Sequence, residues 1–287
     1  MKELAYFDGE FITLDQPKVR IEDRGYEFGD GIYEASRVYN GKVFALDRHL
    51  ERYRRSMREL HIPITDMDEE LIALHEEIIQ KSQVKNGTIY FQLTRGTAPR
   101  THYFPEKMMP HLSMVIRESS VHEDWQENGI HTSLEEDIRW LRCDIKTLNL
   151  LGNVLAKQSA HQKGYQEAIL YRKEKNLITE GSSSNFFLVK DGVLWTHPIS
   201  NLILKGVTRS IIVEKCAPQL DLTIVEKAFS PEFAYSAEEA FVTSTTLEIT
   251  PVTFIDRHQI GNGEPGRVTR NLLRAYHELV AQECAAK

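Results

Sequence analysis

Several short segments of this 287-residue chain hold residue types that could do chemistry. Lys146 stands between apolar Ile145 and Leu148 rather than in a charged cluster. A lysine amine, ordinarily protonated up to a pKa of about 10.4, becomes a nucleophile where burial or a neighbouring cation favours its neutral form, and is otherwise a surface charge. Glu180-Gly-Ser-Ser-Ser-Asn185 joins a carboxylate, a glycine and three small hydroxyl residues between apolar runs. Such a turn either approaches a ligand closely or lies solvated. Lys205-Gly-Val-Thr-Arg-Ser210 opens a helix-like segment. Its unpaired backbone N–H groups could hold an anion, the alternative being a glycine turn capped by Thr208. Thr243-Ser-Thr-Thr246 offers hydroxyls for the same purpose. Cys143 has no histidine paired with it by motif and reads as a small core residue. The histidines show no metal-ligand spacing, so no metal is expected.

The elements that must position these residues follow from periodicity. Asp8-Gly9 and Asn40-Gly41 sit between apolar flanks and predict β-hairpins over Leu4 to Ile12 and Tyr33 to Ala45. Leu46, Leu50, Tyr53, Met57 and Leu60 predict an amphipathic helix behind Asp47 as cap. Its arginines divide: Arg48 and Arg55 fall opposite the apolar stripe, while Arg52 and Arg54 lie at its two margins. Only a marginal arginine can turn inward, and the wheel does not choose between them. A second helix is expected from Met67 to Lys81, then strands at Thr88 to Thr94 and His111 to Arg117. The acidic stretch 119–129 reads as a linker between an N-terminal domain, 1–118, and a C-terminal one, 130–287. In the second domain the pattern predicts helices over Leu148 to Lys163, from Val207, and over Val268 to Gln282. Strands are expected at Glu167 to Tyr171, Ser184 to Val189, Leu222 to Ile224 and Phe241 to Ser244.

Composition limits the function classes. With 41% hydrophobic and 27% charged residues the chain is an ordinary folded protein. A net charge of -7 disfavours nucleic acid as partner. Three scattered cysteines suit a reducing cytoplasm, and no apolar run is long enough for a membrane span.

Six blocks taken together resemble the fold-type IV pyridoxal 5'-phosphate (PLP) enzymes, and within them the D-amino acid aminotransferases. They run from Glu22-Asp-Arg-Gly-Tyr-Glu-Phe-Gly-Asp-Gly-Ile-Tyr-Glu34 through Thr94 to His102, Asp137 to Asn149, Thr179 to Asn185 and Leu204 to Arg209, ending at Thr243 to Thr246. The resemblance implies an α+β fold of two domains, the smaller an N-terminal α/β sandwich, the larger C-terminal one with a β-barrel-like core, and PLP in the cleft between them. By the same resemblance Lys146 is the lysine that bonds covalently to PLP, and Glu180 pairs with the pyridine nitrogen. Arg52, rather than Arg54, binds the phosphate with Val207, Thr208, Ser244 and Thr245. Leu204 packs on the ring, Ser183 lies near the cofactor, and Tyr33, Arg100 and His102 grip the substrate α-carboxylate. Arg100 and His102 reach in from the partner of a homodimer. Ala35 and Arg37 fall near the variable side-chain pocket, unless Arg37 faces water. The implied activity is transamination between D-amino acids and 2-oxo acids. The alternatives are an L-branched-chain aminotransferase, an aminodeoxychorismate lyase of the same fold, and a PLP-binding scaffold without turnover.

Overall fold

The computed structural model describes residues 3–16, 18–63 and 68–285, which form two compact units. The first is built from residues up to Ser120, together with Ile145–Asn149 and the chain from Val280 onward. Its elements are β1 (Glu3–Phe7), β2 (Glu10–Ile12), α1 (Arg24–Phe28), β3 (Gly31–Tyr39), β4 (Lys42–Val43), α2 (Leu46–Glu59), α3 (Asp68–Ser82), β5 (Gly87–Thr94) and β6 (His111–Glu118). The strands make one six-stranded sheet in the order β2-β1-β6-β5-β3-β4. Both predicted hairpins form on the expected pairs, because Asp8 and Asn40 take left-handed φ of 42° and 51° before their glycines.

The helices α2 and α3 cover one face of that sheet, and Ile32, Val38, Leu50, Tyr53, Met57, Ile78 and Phe91 fill the layer between. Asp47 does not cap α2: the capping position is Ala45, in a left-handed conformation with no side-chain cap. Glu283 instead accepts the Ala45 N–H at 2.6 Å. The expected start of the next helix at Met67 lies outside the described residues.

The second unit comprises Val121–Asp144 and Leu150–Leu279. It holds α4 (Glu123–Asn128), β7 (Ile130–Glu136), α5 (Leu151–Gln162), β8 (Glu167–Arg172), β9 (Leu177–Gly181), β10 (Asn185–Lys190), β11 (Val193–Thr196) and α6 (Val207–Ile211). After a π-helical turn at Ile212–Cys216 come α7 (Ala217–Gln219), β12 (Ile224–Glu226), α8 (Pro231–Tyr235), β13 (Glu239–Ser244), β14 (Glu248–Ile255), β15 (His258–Gln259) and α9 (Arg267–Glu283), whose last turn belongs to the first unit. Its strands run β12-β11-β10-β13-β14-β7-β8-β9, with β15 on β14. The sheet curls, and the Gly181 N–H on β9 donates to the Ser184 carbonyl at 2.7 Å just before β10. Phe186, Leu188, Val242, Val252 and Phe229 pack within it. β14 is a central strand that the sequence pattern does not predict, and it contains Pro251, which has no N–H to give to a ladder. Pro251 is tolerated because β7 pairs with β14 only from Val252 onward.

Candidate active site

The segment carrying Lys146 is positioned by an unfinished sheet edge. On the outer side of β3, β4 pairs only with Val38 and Tyr39, which leaves Gly31 to Tyr33 open. Residues 145–149 fill that gap: Thr147 bridges Ile32, the Leu148 N–H donates to the Gly31 carbonyl at 3.0 Å, and the Tyr33 N–H donates to the Lys146 carbonyl at 3.0 Å. The helix predicted from Leu148 therefore starts three residues later, at Leu151. Lys146 Nζ lies 4.1 Å from the centroid of the Tyr33 ring, which itself stacks on Tyr90 at 5.5 Å. An aromatic face holds an ammonium group in place while leaving its N–H groups able to turn elsewhere.

Strand alternation puts Glu34 on the opposite face of β3 from Tyr33, against α2. Arg52 donates to the fully buried Glu34 carboxylate through Nε at 2.7 Å and a second nitrogen at 2.8 Å, and His49 Nδ1 lies 2.9 Å away. Burial alone would raise the Glu34 carboxyl, but the Arg52 guanidinium and then His49 hold it well below the usual carboxylate range. His49 is kept below its ordinary value chiefly by burial, with Arg52 and Lys146 adding to the effect. Arg54, the other marginal arginine, pairs instead with Asp68 near the surface. The choice that the helical wheel left open is thus made by a carboxylate on a neighbouring strand.

In the second unit Glu180 sits near the end of β9, buried, and receives only donors. Arg139 reaches one oxygen at 2.7 Å; the Asn185 amide at 2.9 Å and the Leu204 N–H at 3.1 Å reach the other. Burial raises this carboxyl above its ordinary value, with Arg139 and the Leu204 N–H opposing the rise. A protonated carboxyl would set its own hydrogen against these donors, so the surroundings suit the anion. Arg139 in turn donates to Asp137 at 2.9 Å, and Thr179 donates to the same carboxylate at 2.8 Å. Arg139 lies in the Asp137 to Asn149 block, and its part is invisible there because Glu180 stands 41 residues further along the chain.

Glu167, fully buried at the start of β8, fixes the serine turn. The Ser182 hydroxyl donates to it, as do Ser183 at 3.0 Å and Ser184 at 3.3 Å. Ser183 is exposed, and the turn is therefore built rather than loose. Glycine is required at position 206, where a Cβ would lie 2.0 Å from Asn185 Oδ1. Gly206 is also the capping residue of α6, with no side-chain cap, so Thr208 is inside the helix and does not cap it. The buried Arg209 anchors that helix to the His197 carbonyl at 2.9 Å and to Glu226 at 2.5 Å. Because α6 packs against β13, the amides of Val207 and Thr208 on α6 neighbour the strand that ends at Ser244 and the turn that carries Thr245. Two anion signals that were separate in the sequence share one region of the fold.

Arg100 and His102 stand on the irregular chain after β5, exposed, with Phe28 between them: Arg100 Cζ is 4.5 Å and the His102 ring 5.7 Å from its centroid. They gather on α1, whereas Tyr33 stands with Lys146. Arg37 does not face water. It is buried and donates to Ser119 Oγ at 2.8 Å and to the Ser119 carbonyl at 2.9 Å. Cys143 is buried as expected, and burial pushes its thiol up to about 11 against the pull of Arg139, which suits a core residue rather than a nucleophile.

Set against PLP, the donor chemistry matches group by group. Within the second unit, a phosphate dianion suits the amides of Val207 and Thr208 and the hydroxyls of Ser244 and Thr245. A ring nitrogen suits Glu180, and an aldehyde suits the amine of Lys146.

The class IV amino-transferase family profile matches residues 31–255. The chain is 45% identical over 277 residues to a D-alanine aminotransferase of Staphylococcus haemolyticus, covering 96% of this chain and 97% of that protein. Its fold matches a branched-chain amino acid aminotransferase of Escherichia coli with TM-score 0.92 at 27% identity, covering 100% of this chain and 97% of the other. It also matches one from Thermobaculum terrenum in its PLP form, with TM-score 0.85 at 24% identity and coverage of 97% and 94%. The profile match over residues 31–255 and the 45% identity over 96% of the chain place this protein in the class IV amino-transferase family.

Proposed function

We propose that this chain is a PLP-dependent aminotransferase that moves the amino group of a D-amino acid, of which D-alanine is the type, onto a 2-oxo acid. The placement of Lys146 carries the reading: its amine lies 4.1 Å from the centroid of Tyr33, on the sheet edge beside the strand that carries Glu34, in a chain 45% identical to a D-alanine aminotransferase. Residues 1–118 serve as the small domain, 119–129 as the connector and 130–287 as the PLP-binding large domain.

When bound, PLP supplies an electron-withdrawing ring that stabilises the charge developing at the substrate Cα. Lys146 would hold the cofactor through its amine and would serve as the base that takes the proton from the substrate Cα. Glu180 accepts the pyridine N–H and keeps that nitrogen protonated. Arg52, the amides of Val207 and Thr208, and the hydroxyls of Ser244 and Thr245 hold the phosphate, while Leu204 packs on the ring and Ser183 lies nearby. Tyr33, Arg100 and His102 bind the α-carboxylate. Fixing the carboxylate fixes which enantiomer turns its Cα–H toward Lys146.

Steady-state rates with D-alanine and L-leucine, each with 2-oxoglutarate, test the assignment. We expect D-alanine to be favoured at least about tenfold in kcat/KM, the equivalent of one lost charge-assisted hydrogen bond in the wrong enantiomer. A preference for L-leucine would transfer the protein to the branched-chain group.

The working unit we propose is a homodimer, with Arg100 and His102 serving the partner's site. Leu151, Val154 and Leu155 make an exposed apolar stripe on α5, and Ile138, Trp140 and Leu141 are exposed in the same unit. An unpaired apolar face of that kind marks an interaction surface. Mixing inactive Lys146→Ala subunits with impaired Arg100→Ala subunits should raise D-alanine turnover above that of the Arg100→Ala dimer alone, since one intact site arises in each heterodimer. Absence of rescue despite demonstrated subunit exchange would place Arg100 in its own subunit's site.

A further inference from the structure

We propose that Phe28, at the end of α1, is a positioning residue that holds Arg100 and His102 ready for the substrate carboxylate. This rests on the reading above in which those two residues bind that carboxylate.

Arg100 is 58% exposed, and a long cationic side chain in water samples many rotamers. Here it is restrained. Its Cζ lies 4.5 Å from the Phe28 centroid, and its Nε lies 3.5 Å from a Glu27 carboxylate oxygen. The His102 ring lies 5.7 Å from the same Phe28 ring, tilted at 52°. One half-buried aromatic thus touches both members of the pair.

The backbone between them is pinned as well. Arg24, buried on the same helix, donates to the Thr101 carbonyl at 2.7 Å, and its Cζ is 4.9 Å from the Phe28 centroid. Its Nε donates to Asp30 at 2.8 Å, and Arg95 donates to the same oxygen at 2.8 Å. Arg95 in turn lies 3.6 Å over Phe104 and donates to the Leu60 carbonyl at 2.6 Å, which fixes the farther part of the loop. The turn that ends α1 depends on Gly29 at φ 64°, so Asp30 comes back to meet Arg24. A loop without regular structure is therefore held at Thr101 and Phe104, with the side chains on either side of Thr101 resting on one ring. Preorganisation of this kind lowers the entropy lost when a ligand binds.

The test is kinetic, on the PLP-loaded dimer. Phe28→Leu keeps an apolar side chain but loses the π face, and Phe28→Tyr retains it. For Phe28→Leu we expect KM for D-alanine to rise about three- to tenfold, the scale of cation–π and ring contacts, with kcat within about twofold of wild type. The half-reaction with 1-phenylethylamine, which has no carboxylate, should be unchanged, and Phe28→Tyr should restore the D-alanine KM. A purely structural role would move both substrates together, and that outcome overturns the inference. Arg100→Ala is the reference. If it raises the D-alanine KM while Phe28→Leu does not, positioning by Phe28 is wrong. If Arg100→Ala itself leaves D-alanine kinetics untouched, the carboxylate-binding reading fails first and takes the inference with it.

Discussion

Replacing Lys146 by alanine is expected to lower transamination of D-alanine by at least about a thousandfold, the upper range for losing a positioned proton-transfer group. The loss should fall on kcat, because the residues proposed to hold the phosphate and ring remain in place. Cofactor affinity measured by titration of apoenzyme should change far less than turnover. Exchange of the Cα hydrogen of D-alanine with solvent should stop in the variant. Borohydride reduction of the wild type should leave a pyridoxyl group on Lys146, identifiable by peptide mass. An adduct on another lysine, or full exchange in the variant, would remove Lys146 from the chemistry. The fold is expected to survive, because 145–149 pairs with β3 through backbone groups that alanine also supplies.

The next largest effect concerns Glu34. Its carboxylate is the shared partner of Arg52 and His49 inside the layer between β3 and α2. Removing one member of a buried ion pair costs about 3–5 kcal/mol, because the other charge stays buried without its partner. Glu34→Gln should therefore lower Tm by about 6–20 °C, taking roughly 2–4 °C per kcal/mol for a chain of this size class. Inorganic phosphate should stabilise the variant more than the wild type, since an added anion near Arg52 replaces part of the lost charge. The pH dependence has a definite sign. His49 is held below its ordinary 6.5 and Glu34 below its ordinary 4.5. In both cases the unfolded chain takes up a proton that the folded chain resists, so each contribution is fully present above the ordinary value and is lost as pH falls toward the folded one. Wild-type stability should fall below pH 6.5 and again below pH 4.5. The second fall should be shallower in Glu34→Gln, with the part due to Asp137, which against the upward push of burial Arg139 and Thr179 hold below its ordinary value, remaining. A variant with wild-type Tm and an unchanged acid limb would show that the cluster contributes nothing to the folded state.

Local features were legible in the residues because their physics is local. Asp8-Gly9 and Asn40-Gly41 accept the left-handed turn that closes a hairpin, and the spacing from Leu46 to Leu60 fixes an inward face on α2 whatever lies opposite. The blocks around Lys146, Glu180 and Gly206 stand out locally for the same reason, but residue types alone left them open between chemistry and surface charge, solvated turn or glycine turn, and only the resemblance gave them roles. Tertiary structure alone decided the rest. The wheel put Arg52 and Arg54 on equal terms, and Glu34 chose between them from a strand 18 residues earlier. Arg139 gained its part through Glu180, 41 residues away. Lys146 is in place because β4 is too short to cover β3, which leaves an edge that only a distant segment can fill. No strand is expected after Ser244, and β14 forms there around Pro251, whose missing N–H is tolerated because β7 pairs with β14 only one residue beyond it. In each case the deciding term is a pairing of groups far apart in the chain. Periodicity along the chain carries no record of such pairings, and only packing brings them together.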